Sequence, residues 1–288
     1  MTLPPVVTTP TDLERFRDDG VLGFVPTMGA LHAGHGSLIR VAAAECDVAI
    51  VSIFVNPAQF DDPDDMERYP RRLELDRAFA GDAGATAIYA PNLETIYPAG
   101  HSTRVSISGI TDRWEGADRP GHFDGVATVV TILLHQVRPD RSYFGEKDWQ
   151  QLAMIRRMSR DLSLPGRIIG CPIVRDRDGL ALSSRNARLS DEERAAALVI
   201  PHALGAMRHA ATNGETRATT LISTGTSVVN REPMVQLAYL SIVDPETLEP
   251  VGTIQEGHRA LIAARIGATR LIDTMDLTSA AESMVHYP

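Results

Sequence analysis

The chain has 288 residues, of which 43% are hydrophobic and 23% charged, and its formal net charge is −9. That is enough apolar material to bury a core, so a disordered chain is excluded. An acidic sequence without a basic tract is also a poor match to non-specific nucleic-acid binding, so any anion it binds must meet positive groups gathered locally. Residues 11–14 (T-x-x-E) read as a capping box opening a short helix. Residues 21–25 (VLGFV) read as a buried strand, followed by a loop over 26–37 and a helix over 38–45 with Leu38, Ile39, Val41 and Ala42 at helical spacing. The β-branched run 48–54 is a second buried strand. The acidic run 61–65 reads as a solvated loop, and Leu73, Arg77 and Phe79 belong to a further helical stretch. Then come a short strand at 87–90, a buried helix at 126–137, a strand at 142–144, a helix at 148–162 and a strand at 168–172. Beyond a turn at 175–179 (RDRDG), the string S-D-E-E at 190–193 is a capping box for a long helix, which Pro201 should kink or split. Residues 235–243, 260–266 and 271–274 read as strands.

Strands apolar on both faces and alternating with helices imply a mostly parallel sheet covered by helices, a doubly wound α/β domain. The expected boundary lies near 176, giving a first domain over 1–175 and a smaller α+β domain over 176–288. Ligands of doubly wound sheets sit at the carboxyl ends of the strands, so the segments leaving strands at 26–36, 55–60 and 144–151 carry the chemistry. The apolar run 126–134 is too short to span a bilayer, and the N-terminal residues lack the basic start and apolar stretch of a secretory signal. Cys46 and Cys171 have no metal-ligand spacing and read as reduced thiols of a cytosolic protein.

Within 26–37 stands His32-Ala-Gly-His35. Between a strand and a helix, it would present imidazoles and backbone N–H groups to a phosphate at the positive end of the helix dipole. The bland alternative is a pair of loop histidines capping the helix. The patterns of a P-loop and of a dinucleotide fingerprint are absent. In 55–60, Asn56 and Gln59 are uncharged amides suited to a carboxylate or hydroxyl, with an Asn-Pro turn as the competing reading. The string FGEKDWQQ holds Lys147, whereas the other 27 basic residues are arginine. A compact ammonium there can neutralise a phosphate where a planar guanidinium would not substitute, and Asp148 can orient a ribose. At 182–186, LSSRN sets two hydroxyls and Arg185 at the domain boundary, where they can close over a triphosphate. Asp76 is a candidate magnesium partner, since that ion usually takes one or two carboxylates beside phosphate and water.

The strings PTMGALHAGH, IFVNPAQF, ERYPR, GHFDGVATVV, FGEKDWQQL and DGLALSSRN, with YLSIVDPETLEPV and ATRLID further on, resemble the pantothenate synthetase (pantoate–β-alanine ligase) family across almost the whole chain. The resemblance implies a Rossmann-like nucleotidyltransferase domain over 1–175 that binds ATP and pantoate, and a C-terminal lid over 176–288. It implies a two-step reaction: pantoate and ATP give pantoyl adenylate and pyrophosphate, then β-alanine displaces AMP. Carried over by residue, it implies catalytic roles for His32, His35, Lys147 and Arg185. It lines the ATP site with Pro26, Met28, His32, His35, Gly145, Lys147, Asp148, Val174, Ser183, Ser184 and Arg185. Pantoate would meet Met28, Gln59, Val129, Val130 and Gln151, and magnesium would meet Asp76. It further implies a cytoplasmic homodimer with ATP, pantoate and β-alanine as small-molecule substrates, and no nucleic acid or membrane partner. Two positions depart from the family's pattern: Asp124 stands where many members carry arginine, and Gly36 where larger apolar residues are common. The rival readings are an H-x-G-H nucleotidylyltransferase that stops after nucleotidyl transfer and a non-catalytic nucleotide-binding module. The amides of FVNPAQF argue against the first, and the joint presence of lysine, paired histidines and the SSR segment against the second.

Overall fold

Six parallel strands carry the first half of the chain. They are β1 (Val6–Val7), β2 (Leu22–Thr27), β3 (Val48–Ile53), β4 (Ala87–Tyr89), β5 (Arg141–Gly145) and β6 (Arg167–Cys171), in the order β1-β4-β3-β2-β5-β6. The computed structural model describes residues 3–61 and 63–279 and the backbone of 285–286, with residue 63 described by its backbone alone. Two compact units divide the chain: Met1–Gly145 with Met154–Cys171, and Glu146–Ala153 with Pro172–Pro288. The division differs from the expected boundary at 175/176, and it assigns Glu146–Ala153 to the second unit. The indole of Trp149 explains the assignment, because it donates to the carbonyl of Pro245 and packs under Arg259.

In the first unit, β3 is buried on both faces because helices cover both sides of the sheet. Val25, Ile39, Ala42, Val51 and Ile88 share one core with no side-chain exposure to solvent. Strand order reverses between β2 and β5, the switch point at which doubly wound sheets open a crevice. The register shows how it opens: paired residues of β2 and β5 end at Phe24↔Ser142, while β5 stays with β6 as far as Gly145↔Cys171. Pro26, which has no N–H to donate, falls just past the end of that pairing.

Most of the expected elements are present, with instructive shifts. The first capping box is Thr9 with Asp12, not 11–14, because Pro10 supplies the first helical residue. The helix expected from 38 starts at Ala33, since His32 caps it and Gly34 and Gly36 lie inside its first turns despite their low propensity. The acidic run forms a short helix, Pro63–Glu67, with Asp64 and Asp65 in its first turn; Asp62 lies outside the described residues. Ser190 and Glu193 form the expected capping box, and the helix breaks at Leu198 into Asp191–Ala197 and Val199–Thr212, leaving Pro201 in a first turn where it is tolerated.

The second unit holds β7 (Val174–Arg175), β8 (Val235–Val243), β9 (Arg259–Ile266), β10 (Thr269–Asp276) and β11 (Val285–His286). Strands β8, β9 and β10 form an antiparallel sheet in the order β10-β9-β8, and the backbone of β11 pairs with β7. The helix Ala218–Val229 has no counterpart in the sequence reading. Its Thr, Ser and Val residues are weak helix formers, but Ala218, Leu221, Gly225 and Val229 bury one face at helical spacing. A side chain at Gly225 would strike Met207 and Leu240, so the glycine lets the helix approach the sheet. Beneath this layer Arg175 and Asp273, 2% and 3% exposed, form a two-pronged ion pair at 2.6 and 3.0 Å. Arg175 also donates to the Gly179 carbonyl at 3.2 Å, tying the 176–179 turn to β10. Asp273→Asn should lower stability by roughly 3–5 kcal/mol by stranding a buried guanidinium, measured by urea unfolding; a loss under about 1 kcal/mol would show that the pair carries little of the fold.

Candidate active site

The turn leaving β2 must satisfy backbone donors that neither strand nor helix can serve. Asp76, buried on the helix Leu73–Asp82, accepts from Ala30 N at 2.9 Å and Leu31 N at 2.8 Å. Gly29 (φ +80°) donates to Thr27 Oγ1, and a Cβ there would lie 2.9 Å from Asp76 Oδ2. Ala30 has φ +50°, a left-handed conformation that costs an alanine about 1–2 kcal/mol and that the Asp76 hydrogen bonds hold in place. Next, His32 Nδ1 accepts from Gly34 N at 3.1 Å, and His35 Nδ1 accepts from His32 N at 3.3 Å. The two histidines therefore do cap the helix, in the reciprocal manner of a capping box. A ring nitrogen that accepts carries no proton, so both neutral imidazoles bear theirs on Nε2 and are donors there. Their ring centroids are 4.1 Å apart. Capping thus occupies Nδ1 of each ring, a different nitrogen from the Nε2 that the phosphate contact expected from the sequence would use. Gly36 faces the Phe79 ring, 3.1 Å from where a Cβ would stand, so that ring occupies the space a larger residue would need.

After β3 the turn Asn56–Phe60 is fixed by a neutral network. Tyr97 Oη donates to Asn56 Oδ1 at 2.8 Å, and burial pushes the Tyr97 pKa up to about 12, which keeps the donor protonated. Asn56 Nδ2 donates to Gln59 Oε1 at 2.9 Å and to the Gly125 carbonyl at 3.1 Å. With its oxygen so engaged, the Gln59 amide has its NH2 to offer to a substrate oxygen. Gly125 is required here because a Cβ would stand 2.2 Å from the Ala58 carbonyl oxygen. His122, at the start of the helix His122–Val137, contacts the Gln59 carbonyl through Nδ1 at 2.8 Å and Arg119 through Nε2 at 3.4 Å. Because Arg119 can only donate, the His122 proton lies on Nδ1. Arg119 is paired in turn with Asp61. A cleft of about 500 Å³ adjoins this turn, lined among others by Ala58, Tyr97, His122 and Asp124. Asp124 accepts from Ser106 Oγ at 2.8 Å in the first turn of its helix, where a carboxylate is favoured.

The other expected residues take these places. Pro26 is the penultimate residue of β2, Met28 follows the strand half-buried, and Gly145 ends β5. Val129 and Val130 are buried in the helix His122–Val137. In the second unit, Lys147 and Asp148 lie in the turn Glu146–Asp148 with Nζ and Oδ1 3.7 Å apart, and Gln151 follows in the first turn of the helix Trp149–Asp161. Val174 is buried in β7. Ser183 caps the helical turn Ser184–Arg188 by accepting from Arg185 N at 3.2 Å, and Asn186 donates to the Ala181 carbonyl. Among the described residues, no three His, Cys, Asp or Glu side chains gather as a metal site. Asp76 retains one lone pair on each oxygen, which fits an ion that arrives on a triphosphate better than a resident one.

Of the two readings of Asn56, a substrate amide and an Asn-Pro turn, the structure shows it building the turn, and the sequence does not single out Tyr97, Arg119 or His122, which help to hold Gln59 there. The string GHFDG carried the available signal, since its His and second Gly both serve that turn.

A parallel sheet whose order turns between β2 and β5, with a histidine-capped helix at the exit of β2, defines a Rossmann-like α/β protein. The chain belongs to the pantoate-beta-alanine ligase family, which it matches over residues 6–276. It is 51% identical to a pantothenate synthetase of Acidobacterium capsulatum, over 88% of this chain and 85% of that one. The crystal structure of pantothenate synthetase from Thermus thermophilus matches with a TM-score of 0.92 at 46% identity, covering 96% of this chain and all 100% of that one. A pantoate-beta-alanine ligase from Francisella tularensis, complexed with beta-gamma ATP and beta-alanine, matches with a TM-score of 0.78 at 33% identity, covering 96% and 99%.

Burial, and then the Arg119 charge, hold the His122 pKa below its ordinary 6.5. The unfolded chain thus takes up this proton first as pH falls, and stability is lost from about pH 6.5 downward to the folded value. His122→Gln should remove that contribution, so the stability of the wild type relative to the variant falls as pH drops below about 6.5 in urea titrations; parallel pH profiles would show that His122 is not held neutral.

Proposed function

We propose that the protein carries out its family's reaction, the ATP-dependent joining of pantoate to β-alanine, with the residues above in the following roles. A pantoate carboxylate oxygen attacks the α-phosphorus of ATP, and the bond to the bridging oxygen breaks to release pyrophosphate. The amine of β-alanine then attacks the acyl carbon of pantoyl adenylate, AMP leaves with the bonding pair, and the amine gives up a proton as the amide forms. The chemistry asks mainly for positioning and for neutralisation of developing phosphate charge. The observation that carries the reading is the pair of imidazoles held through Nδ1 at a helix N-terminus, which makes His32 and His35 Nε2–H donors suited to phosphate oxygens.

In this reading Lys147 neutralises the phosphate under attack, Ser183, Ser184 and Arg185 bind the triphosphate, and Asp148 holds the ribose. Pro26, Met28, Gly145 and Val174 line the nucleotide. Gln59 donates its NH2 to pantoate beside Gln151, and Met28, Val129 and Val130 take its methyl groups. Magnesium supplies further charge neutralisation on the phosphates, with Asp76 as the residue to hold it. Cys46 and Cys171 form no disulfide, which suits a reducing compartment, and the enzyme is taken to work as a cytoplasmic homodimer, the state that the family resemblance implies.

The test is a coupled assay for pyrophosphate and AMP with ATP, magnesium and pantoate, run with and without β-alanine. Sustained release of both products is expected only when β-alanine is present. Pyrophosphate release indifferent to β-alanine would point to a plain nucleotidylyltransferase, and absence of release from folded protein to a binding module. In the same assay Lys147→Arg should lower kcat by at least about tenfold, because a wide guanidinium replaces a compact ammonium; an unchanged kcat would show that the lysine is incidental.

A further inference from the structure

Lys147 sits in a turn too short to hold itself. The segment Glu146–Asp148 is a single 3-10 turn, and the ion pair of Lys147 with Asp148 is to its own chain neighbour, so it moves with the turn and cannot anchor it. What fixes the turn flanks the lysine on both sides. Glu146, just before it, lies 3.4 Å from Arg259 Nη2. Trp149, two residues after it, is 8% exposed, and its indole lies under the Arg259 guanidinium, 3.9 Å from carbon to ring centroid. The indole edge is pinned as well, since Nε1 donates to the Pro245 carbonyl at 3.0 Å. Arg259 is itself secured: 6% exposed, it opens β9, where its backbone is paired with Val243 on one side and Asp276 on the other.

We propose that Arg259 is a positioning residue for the reaction, holding the Lys147 ammonium in place by clamping Glu146 and Trp149 on either side of it; this rests on the reading of Lys147 given above. The arrangement needs a guanidinium. Its central carbon lies over the indole while Nη2 stands at ion-pair distance from the Glu146 carboxylate, and the compact charge of a lysine ammonium matches this spread arrangement poorly. Arg259 itself touches no reacting atom in this scheme. Its effect passes through Lys147 and therefore belongs in kcat rather than in the binding of pantoate.

The experiment is a mutant cycle in the full-length enzyme, reading pyrophosphate release with ATP, magnesium, pantoate and β-alanine. Arg259→Lys should lower kcat by about tenfold, with the KM for pantoate changed by less than about twofold. In a Lys147→Ala background the same substitution should cost nothing further, because residues that act as a unit are non-additive. Glu146→Gln, at a half-buried site, should show the same non-additivity with a smaller loss and keeps the test open if Arg259→Lys does not fold. An unchanged kcat in both variants, or losses that multiply with that of Lys147→Ala, would overturn the inference while leaving the family reaction intact. A folded wild type that makes no pantothenate would instead overturn the reading of Lys147, and the inference with it.

Discussion

The candidate site depends on how the chain leaves β2. Between the last strand residue and the first helical turn, the N–H groups of Gly29, Ala30, Leu31, His32 and Gly34 need acceptors, and the structure supplies them all from side chains. A buried carboxylate is costly to desolvate, but two backbone donors compensate Asp76 and make it the strut of the turn. Thr27 Oγ1 takes the Gly29 donor, and imidazole Nδ1 atoms take those of His32 and Gly34. Satisfying the backbone in this way also fixes the tautomer of both histidines, so one set of hydrogen bonds folds the turn and prepares its chemistry.

The turn after β3 solves a related problem without charge. Tyr97, Asn56 and Gln59 form a directional chain of donors and acceptors, closed by the carbonyl of Gly125 and by His122. A neutral network of this kind neither repels an anion, as a fixed carboxylate would, nor binds any anion, as a fixed cation would. The close approach of Gly125 to the Ala58 carbonyl is the steric condition for this network, and no other residue meets it.

The second unit rests on a different balance. Its interior includes the Arg175–Asp273 pair, which binds the 176–179 turn ahead of Ser183–Arg185. Arg194 reaches the same turn through Asp176 and Asp178. Arg259 does comparable work on the Glu146–Asp148 turn, by stacking and charge together. In a chain with one lysine and many arginines, planar cations thus set the backbone that carries Lys147 and the SSR segment.

Local pattern was enough to read β2 to β6 of the parallel sheet, the capping box at Ser190, the break before Pro201 and the family strings, because each depends on periodicity or on chemistry a few residues apart, whereas the two-residue edge strand β1 is too short to show a pattern. The start of the helix at Ala33 and the whole helix Ala218–Val229 were not legible, because glycine, threonine and serine spoke against helix locally and burial overruled them. Histidines, lysine and amides could be nominated from sequence, since residue type and position after a strand point to phosphate and carboxylate chemistry. What braces the turn ahead of the histidines, what holds Asn56 and through it the Gln59 amide, and what clamps the lysine turn were decided only by the tertiary structure. Their partners, at Asp76, Tyr97, Gly125, Pro245 and Arg259, lie tens of residues away, and only folding brings them within hydrogen-bonding reach.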